Sequence, residues 1–570
     1  MCWFPHTRYV TSSHISGVGK FDYNKSMRYQ PTIGLEIHAE LKTAAKMFCQ
    51  CANNPLAKRP NFDVCPICLG HPGALPAGIN QQAVEQTIKL CLALNCQICD
   101  APQFYRKNYF YPDLPKGYQI TSQKSPFGEG GYLNIIDSRL RGNDNKRLEI
   151  TSRGGNDNDD VAAIQDCRVR IHHIHLEEDT ARLAHPVGAD YSLVDFNRSG
   201  VPLLELVSEP DIHCASQARE FCQKLQLILR YLGVSDADME KGQMRCEVNI
   251  SLMQNAECKM QNGGKATKAL LKLGTKVEIK NLNSFRSVEK AIEFEIKRQA
   301  DCLDRGEKII QETRGWHDAK QITFSQRSKE EAYDYRYFPE PDLPPLDMTD
   351  KKYFNIETLK NHLPELPDQR LARLQAEYGL PAKQAEVFVN NKELGDYFEQ
   401  VVSELKEWMG MAVIASEGAK PEVWQSQDIL VVIKLAANYL ITELQKLLLI
   451  NKKVLAEIKI TPENFAEFIV LTYKQKVSSS GAQTLLAEMF ATGADPSNII
   501  ESKGLAQVSD QSFLETVALE VIKNNPQSIK DWQAGKQNVL QFLVGQVMRQ
   551  TKGQANPQIA QEILKQKLDL

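Results

Sequence analysis

The sequence predicts an α/β chain of the α+β kind: an N-terminal cradle on a largely antiparallel sheet, followed by an all-α C-terminal half. Three observations predict it. Strand-like stretches with one apolar and one acidic or polar face recur between Thr32 and Phe285. From Asp350 onward the pattern changes to helical periodicity punctuated by Pro and Gly. All 14 cysteines lie at or before Cys302, and the last 268 residues have none, so the two halves are differently built.

A chain of 570 residues is too long for one core. Hydrophobic content of 42% and charged content of 24% are those of a soluble globular protein. No apolar run is long enough to span a bilayer. The net charge of -3 supplies no global basic field, so any nucleic-acid contact must come from a local patch. With no secretory signal, the thiols are expected to be reduced or metal-bound in a bacterial-type cytoplasmic protein. Residues 1–28 are expected to form a disordered extension, with order beginning near Met27. The acid-poor start is faintly similar to a mitochondrial transit peptide.

The cradle is expected over 29–350. Thr32–Leu41 (TIGLEIHAEL) alternates as a strand, with Leu35, Ile37, Ala39 and Leu41 on one face and Glu36, His38 and Glu40 on the other. Carboxylate, imidazole and carboxylate in a row can hold a hard cation such as Mg²⁺. Cys49-x-Cys51 and Cys65-x-x-Cys68 are two close pairs joined by a short loop, the spacing of a tetrahedral Zn²⁺ knuckle over 49–68. Four ligands leave no position for water, so this metal would stabilise rather than catalyse. Asn80–Asn95 predicts a helix capped by Asn80, with Val84, Ile88 and Leu92 as its stripe.

Arg106–Gln119 (RKNYFYPDLPKGYQ) is rich in aromatic, basic and Pro residues and predicts a structured loop. Its cations suit phosphate and its tyrosines suit a base, or it is an ordinary anchored surface loop. The echo of SRLRGNDN by SRGGNDN marks a low-complexity insertion at about 138–168, and a second, Lys- and Gly-rich one is expected near 261–271. Val169–Asp179 is strand-like; alternation groups His173, His175 and Glu177 against Ile174, Leu176 and Glu178, and twist or a bulge leaves open which glutamate faces a site. Glu205 sits among Leu203, Leu204, Leu206 and Val207, where a carboxylate is costly unless paired or metal-bound. Ser216–Gly233 predicts an amphipathic helix. Arg245–Ser251 alternates again, with Glu247 and Asn249 opposite the apolar set. Val277–Phe285 repeats the pattern before a helix from about Ser287 to Cys302.

A helical domain is expected over 351–468, including a nearly all-apolar run at Asp428–Leu449 that predicts a buried helix. A helical tail follows over 469–570. From Val521 to Leu570 it carries seven Lys/Arg against three Asp/Glu, a surplus of four that suits a nucleic-acid backbone.

Seven stretches together resemble one family: GLEIH at Gly34, the cysteine pairs, RKNYFYPDLPKGYQI at Arg106, HLEED at His175, VDFNRSGVPLLELVSEPD at Val194, KNLNSF at Lys280 and YDYRYFPEPDLPPL at Tyr333. The family is the B subunit of the aspartyl/glutamyl-tRNA(Asn/Gln) amidotransferases, GatB of the GatCAB complex. The resemblance covers roughly residues 31–570. Leu543–Gln558 (LVGQVMRQTKGQANPQ) is similar to the tail signature shared with YqeY-like proteins.

The resemblance implies a cradle similar to glutamine-synthetase-like kinases and an all-α YqeY-like tail that binds tRNA. It implies ATP and Mg²⁺, used to phosphorylate the tRNA-linked carboxylate of mischarged Glu-tRNA(Gln) or Asp-tRNA(Asn), which ammonia then converts to an amide. It implies two partners: a glutaminase/amidase (GatA) that releases the ammonia, and a small third protein (GatC). By the same resemblance Glu36, His38, Glu178 and Glu205 hold Mg²⁺, Glu247 joins the catalytic set, and Lys107 and Arg245 contact phosphate. No glutaminase arrangement is recognisable, so the chain alone is not expected to hydrolyse glutamine. Two rivals are a stand-alone carboxylate–amine ligase and a non-catalytic tRNA-binding scaffold.

Overall fold

The computed structural model describes residues 29–135, 167–186, 188–254, 273–328, 334–411, 426–507, 511–533, 536, 538–551 and 555–568. The expected N-terminal extension and both insertions lie outside them, except for Cys167 and Arg168 at the end of the longer one. The chain divides into two units between Pro364 and Glu365, C-terminal to the expected boundary at 350. The expected boundary at 468 falls inside a helix, Pro462–Tyr473.

The first unit is a mixed, mostly antiparallel sheet with helices. The ten strands along its main path are β1 (Tyr29–Glu40), β2 (Tyr105–Asn108), β3 (Tyr118–Thr121), β4 (Cys167–Glu178), β5 (Pro202–Ser208), β6 (Met244–Gln254), β7 (Val277–Leu282), β8 (Glu312–His317), β9 (Ile322–Ser328) and β10 (Phe338–Pro339). They lie in the order β9-β8-β7-β6-β1-β5-β4-β3-β2-β10. Along this path β7 and β8 are the parallel pair. The long central strands β1, β4, β5 and β6 thus lie side by side although they are distant in sequence.

Alternation decides which face is which. Ile33, Leu35, Ile37 and Ala39 of β1 are buried, as are Cys246, Val248 and Ile250 of β6. Helices α1 (Gln81–Ala93), α2 (Ala215–Tyr231) and α3 (Phe285–Asp304) supply buried partners, with α2 against α3 and α3 against β6. Phe221, Leu225, Leu229, Val288 and Ile292 are buried in this layer. Each such side chain stabilises the fold by about 1.5–3 kcal/mol relative to exposure. The expected cap is present: Asn80 accepts a hydrogen bond from the Ala83 amide.

Two expectations are corrected. The stretch 106–119 is not loop throughout, because its ends pair as β2 and β3 and only its centre turns. β10 adds to the β2 edge through Phe338 opposite Arg106. The apolar run near Leu440 is not buried all round. Val432, Ile433, Ala436, Leu440 and Leu444 form one buried stripe, while Leu449 is 81% exposed. A short π-helical turn at Leu440–Leu444 interrupts this helix.

Among the described residues, the second unit is all helical. Its last three long helices, Gln511–Asn524, Asn538–Gln550 and Pro557–Leu568, share a core of Leu514, Ala518, Leu543, Val547, Ile563 and Leu564. No described helix is long and apolar enough to cross a membrane.

Candidate active site

The face of the sheet opposite the helices carries the acids. β1 projects Glu36, His38 and Glu40 there because its odd-numbered neighbours are committed to the core. The ladder places His38 opposite Glu205 of β5 and Arg245 of β6, and Glu36 opposite Glu247. Glu205 in turn faces His175 of β4. Register alone therefore brings residues of four strands to one patch.

Two groups result. In the first, His38 Nε2 lies 3.2 Å from Glu205 Oε2 and 3.8 Å from Glu177 Oε1. His38, Glu177 and Glu205 are placed to share a metal ion. In the second, Glu36, Glu247 and Glu278 converge within 4.8 Å. Asn249 donates to Glu36 at 2.7 Å, and Lys280 reaches Glu247 at 2.7 Å and Glu278 at 3.2 Å. Beside them Glu40 adjoins Asp179, whose carboxylate pairs with Arg245 at 2.5 Å and Arg198 at 3.6 Å.

The electrostatics reflect crowding of like charge out of water. Burial raises Glu36, and Glu205 and Glu247 raise it further. Burial and Asp179 push Glu40 up to about 8. Burial would raise Glu205 too, but His38 and His175 hold it well below the usual carboxylate range. In return, and against burial, Glu205 and Glu177 raise His38, and they push His175 up to about 9. Such a donor set, carboxylate oxygens with one imidazole and a surplus of negative charge, suits a hard divalent cation.

Lys107 borders the first group. Burial lowers its ammonium pKa, but Glu177, Tyr337 and Glu205 more than offset this. Its Nζ lies 5.9 Å from the Tyr109 ring centre and 5.3 Å from that of Tyr335. Tyr109, Tyr335 and Tyr337 stand edge to face, each successive pair 6.1 Å apart, as an aromatic wall. The segment carrying Tyr335 is pinned to β2 by the Asn108 amide, which donates to its carbonyl at 2.9 Å.

The structure thus brings His38 and Glu205 together, sets Glu36 and Glu247 in the adjacent group, and places Lys107 and Arg245 at the rim. It corrects Glu178. Glu177 meets His38 and Glu205, whereas Glu178 turns to the other side, where Lys116 and the Ile120 amide hold its carboxylate. The physical reason is strict alternation through the end of β4, with its bulge at His172 rather than near Glu177. Sequence reasoning missed His175, Asp179 and Glu278. His175 shares the parity of Glu177, and Glu278 that of Lys280, so both signals were present in the alternation.

Cys49, Cys51, Cys65 and Cys68 form a separate group within 4.8 Å that can hold a metal. The Cys49 thiol donates to Cys68 and holds it down to about 5, while burial raises Cys51 to about 11. Four convergent soft sulfurs with one already favouring thiolate fit Zn²⁺. Gly70 closes the knuckle at φ +62°, and a Cβ there would lie 2.8 Å from the Lys116 amide nitrogen.

Residues 31–353 match the GatB/GatE catalytic domain, and residues 427–568 match the GatB domain. The chain is 41% identical to the B subunit of the aspartyl/glutamyl-tRNA(Asn/Gln) amidotransferase of Carboxydothermus hydrogenoformans, over 95% of this chain and 99% of the relative. It is 40% identical to that of Thermotoga maritima and 43% identical to that of Persephonella marina, over 95% of this chain and 100% of each relative. The chain belongs to the family of B subunits of the aspartyl/glutamyl-tRNA(Asn/Gln) amidotransferases.

Proposed function

We propose that the acidic face activates and amidates the side-chain carboxylate of mischarged Glu-tRNA(Gln), Asp-tRNA(Asn) or both. The observation that carries this is the pair of adjoining acid groups on one sheet face, bordered by Lys107 and the aromatic wall. A carboxylate is a poor electrophile until one of its oxygens becomes a leaving group. Its oxygen attacks the γ-phosphorus of ATP, ADP leaves, and an acyl phosphate forms. Ammonia then attacks the carbonyl carbon, phosphate leaves, and the excess N–H proton passes to phosphate.

This chemistry needs positioning and charge neutralisation more than a covalent catalyst. His38, Glu177 and Glu205 would hold one Mg²⁺, and Glu36, Glu247 and Glu278 a second, there to neutralise the phosphoryl oxygens. Lys107 places a cation between the carboxylates and the tyrosines, suited to a phosphate. Arg245 is committed to Asp179, so it stiffens the rim and offers its remaining donors inward. The tyrosines offer stacking faces for adenine or for the terminal base of tRNA.

The knuckle would hold a structural Zn²⁺ through Cys49, Cys51, Cys65 and Cys68. Ammonia would come from a glutaminase/amidase partner (GatA), with a small third protein (GatC) completing a heterotrimer in the bacterial cytoplasm. The helical region 351–468 serves as connector, and the tail over 469–570 supplies the basic contact to tRNA.

The test is ATP-dependent amide formation on both mischarged tRNAs with free ammonium and the two partner proteins. Wild type should convert at least one, and His38→Ala and Glu205→Ala should each lose turnover by about 10² or more. Normal amidation by both variants would make the chain a tRNA-presenting scaffold instead.

A further inference from the structure

We propose that His175 is a positioning residue for the Glu177 and Glu205 carboxylates, holding them in the arrangement that receives the cation. This rests on the metal-site reading above. His175 sits in the middle of β4, opposite Glu205, and its side chain is 0% exposed. It therefore cannot touch a substrate. Its Nε2 lies 3.1 Å from Glu205 Oε2 and 3.6 Å from Glu177 Oε2. It is thus near both acids of the first group at once.

His38 approaches the same Glu205 oxygen, from 3.2 Å. The two imidazoles therefore converge on one carboxylate oxygen. Neither ring nitrogen of His175 has an aligned hydrogen-bond partner within the protein. A buried imidazole left so is poorly satisfied, and a small rotation of Glu205 or Glu177 supplies the missing bond. When His38 turns its nitrogen to a cation, His175 is the residue that keeps Glu205 from swinging away. Carboxylate ligands ordinarily need such an outer partner, and losing it typically weakens metal binding by about 10–100-fold.

The surroundings make His175 rigid. His173 stacks on it at 5.1 Å with a 26° interplanar angle. The β4–β5 ladder skips His172, pairing Ile171 with Ser208 and His173 with Val207. This bulge turns His172 toward His173, with their Nδ1 atoms 2.6 Å apart. The HHIH run is thus a buttress behind the acids, not a second ligand set.

The experiment measures Mn²⁺ binding to the assembled complex by the electron paramagnetic resonance signal of free Mn²⁺, with kinetics alongside. Three variants are compared. His175→Gln puts an amide N–H where Nε2 lies, His175→Asn puts one where Nδ1 lies, and His175→Leu keeps volume without a donor. The expected result is Mn²⁺ affinity within about threefold of wild type for Gln and about 10–100-fold weaker for Leu and Asn. KM for aminoacyl-tRNA should stay unchanged while kcat falls. Leu binding as tightly as Gln would overturn the inference and leave His175 a packing residue. Should Leu fail to fold, Asn binding as tightly as Gln overturns it in the same way. If His38→Ala and wild type bind Mn²⁺ equally, the metal-site reading itself fails, an outcome distinct from either.

Discussion

Glu177 and Glu178 are chain neighbours that the sheet separates. Glu177 lies 3.8 Å from His38 on the acidic face, while Glu178 is engaged by Lys116 and by the Ile120 amide at 3.0 Å on the other side. Their substitutions should therefore separate as well. Glu177→Gln removes a charge from the proposed cation site and should lower amidation by about 10² or more, with weaker Mn²⁺ binding. Glu178→Gln should leave Mn²⁺ affinity near wild type. It strands the partly buried Lys116 ammonium and should cost about 1–3 kcal/mol of stability, read as a lower melting temperature. Loss of Mn²⁺ binding in the Glu178 variant alone would reverse the assignment.

Metal binding should depend on pH through His38. A ligating imidazole must be neutral, and Glu205 and Glu177 raise His38 above its ordinary range against the effect of burial. Loading therefore expels a proton. Glu205 is already ionised and contributes none. Mn²⁺ affinity should rise with pH while the His38 imidazole is protonated and level off once it is neutral, with a slope approaching one proton. Calorimetry in buffers of different ionisation enthalpy would count that proton. A flat profile would remove His38 from the ligand set.

Much of this site was legible because a strand has a period of two. The parity of Glu36, His38, Glu247 and Asn249 placed each on the acidic face, and the same parity left Cys246 and Val248 for the core. Glu205 was legible for a different reason, as a carboxylate stranded among leucines. What the sequence did not contain was register. Nothing in 169–179 says that His175 lies opposite Glu205 rather than one residue away, and a one-residue slip would have exchanged Glu177 for Glu178. Nor does the sequence around Phe338 announce that it pairs with β2, since that pairing joins residues 232 apart (Phe338 with Arg106). The cysteine knuckle was the easiest reading, because its ligand spacing is local.

The Glu40–Asp179 pair should impose its own pH dependence on folding. Glu40 is raised from its ordinary value of 4.5 to about 8, so the folded state binds a proton that the unfolded chain releases. Its stabilising contribution is full below pH 4.5 and is lost as pH rises through 8. Asp179 is shifted the other way by Arg245 and Arg198, despite burial, so its effect lies at lower pH. Urea unfolding should show stability declining across the window between those two Glu40 values. Glu40→Gln, which keeps a hydrogen bond without the charge, should flatten that decline. An unchanged slope in Glu40→Gln would place the raised carboxyl elsewhere.

Removing zinc should loosen the sheet through Lys46. This lysine is almost fully buried, and its Nζ donates to the Asp63 carbonyl at 2.8 Å and the Phe196 carbonyl at 3.3 Å. Ser199 donates to the Cys68 carbonyl at 2.7 Å. The knuckle is thereby tied to the 196–200 turn that leads directly into β5, the strand bearing Glu205. Chelation, or Cys65→Ser, should release about one equivalent of zinc and lower the melting temperature by several degrees. Because β5 then enters the sheet less firmly, the Mg²⁺ concentration for half-maximal amidation should rise, while affinity for tRNA stays unchanged. Both effects are measurable on one preparation. Zinc loss without any rise in the Mg²⁺ requirement would show that the knuckle stabilises its own loops alone and does not support β5.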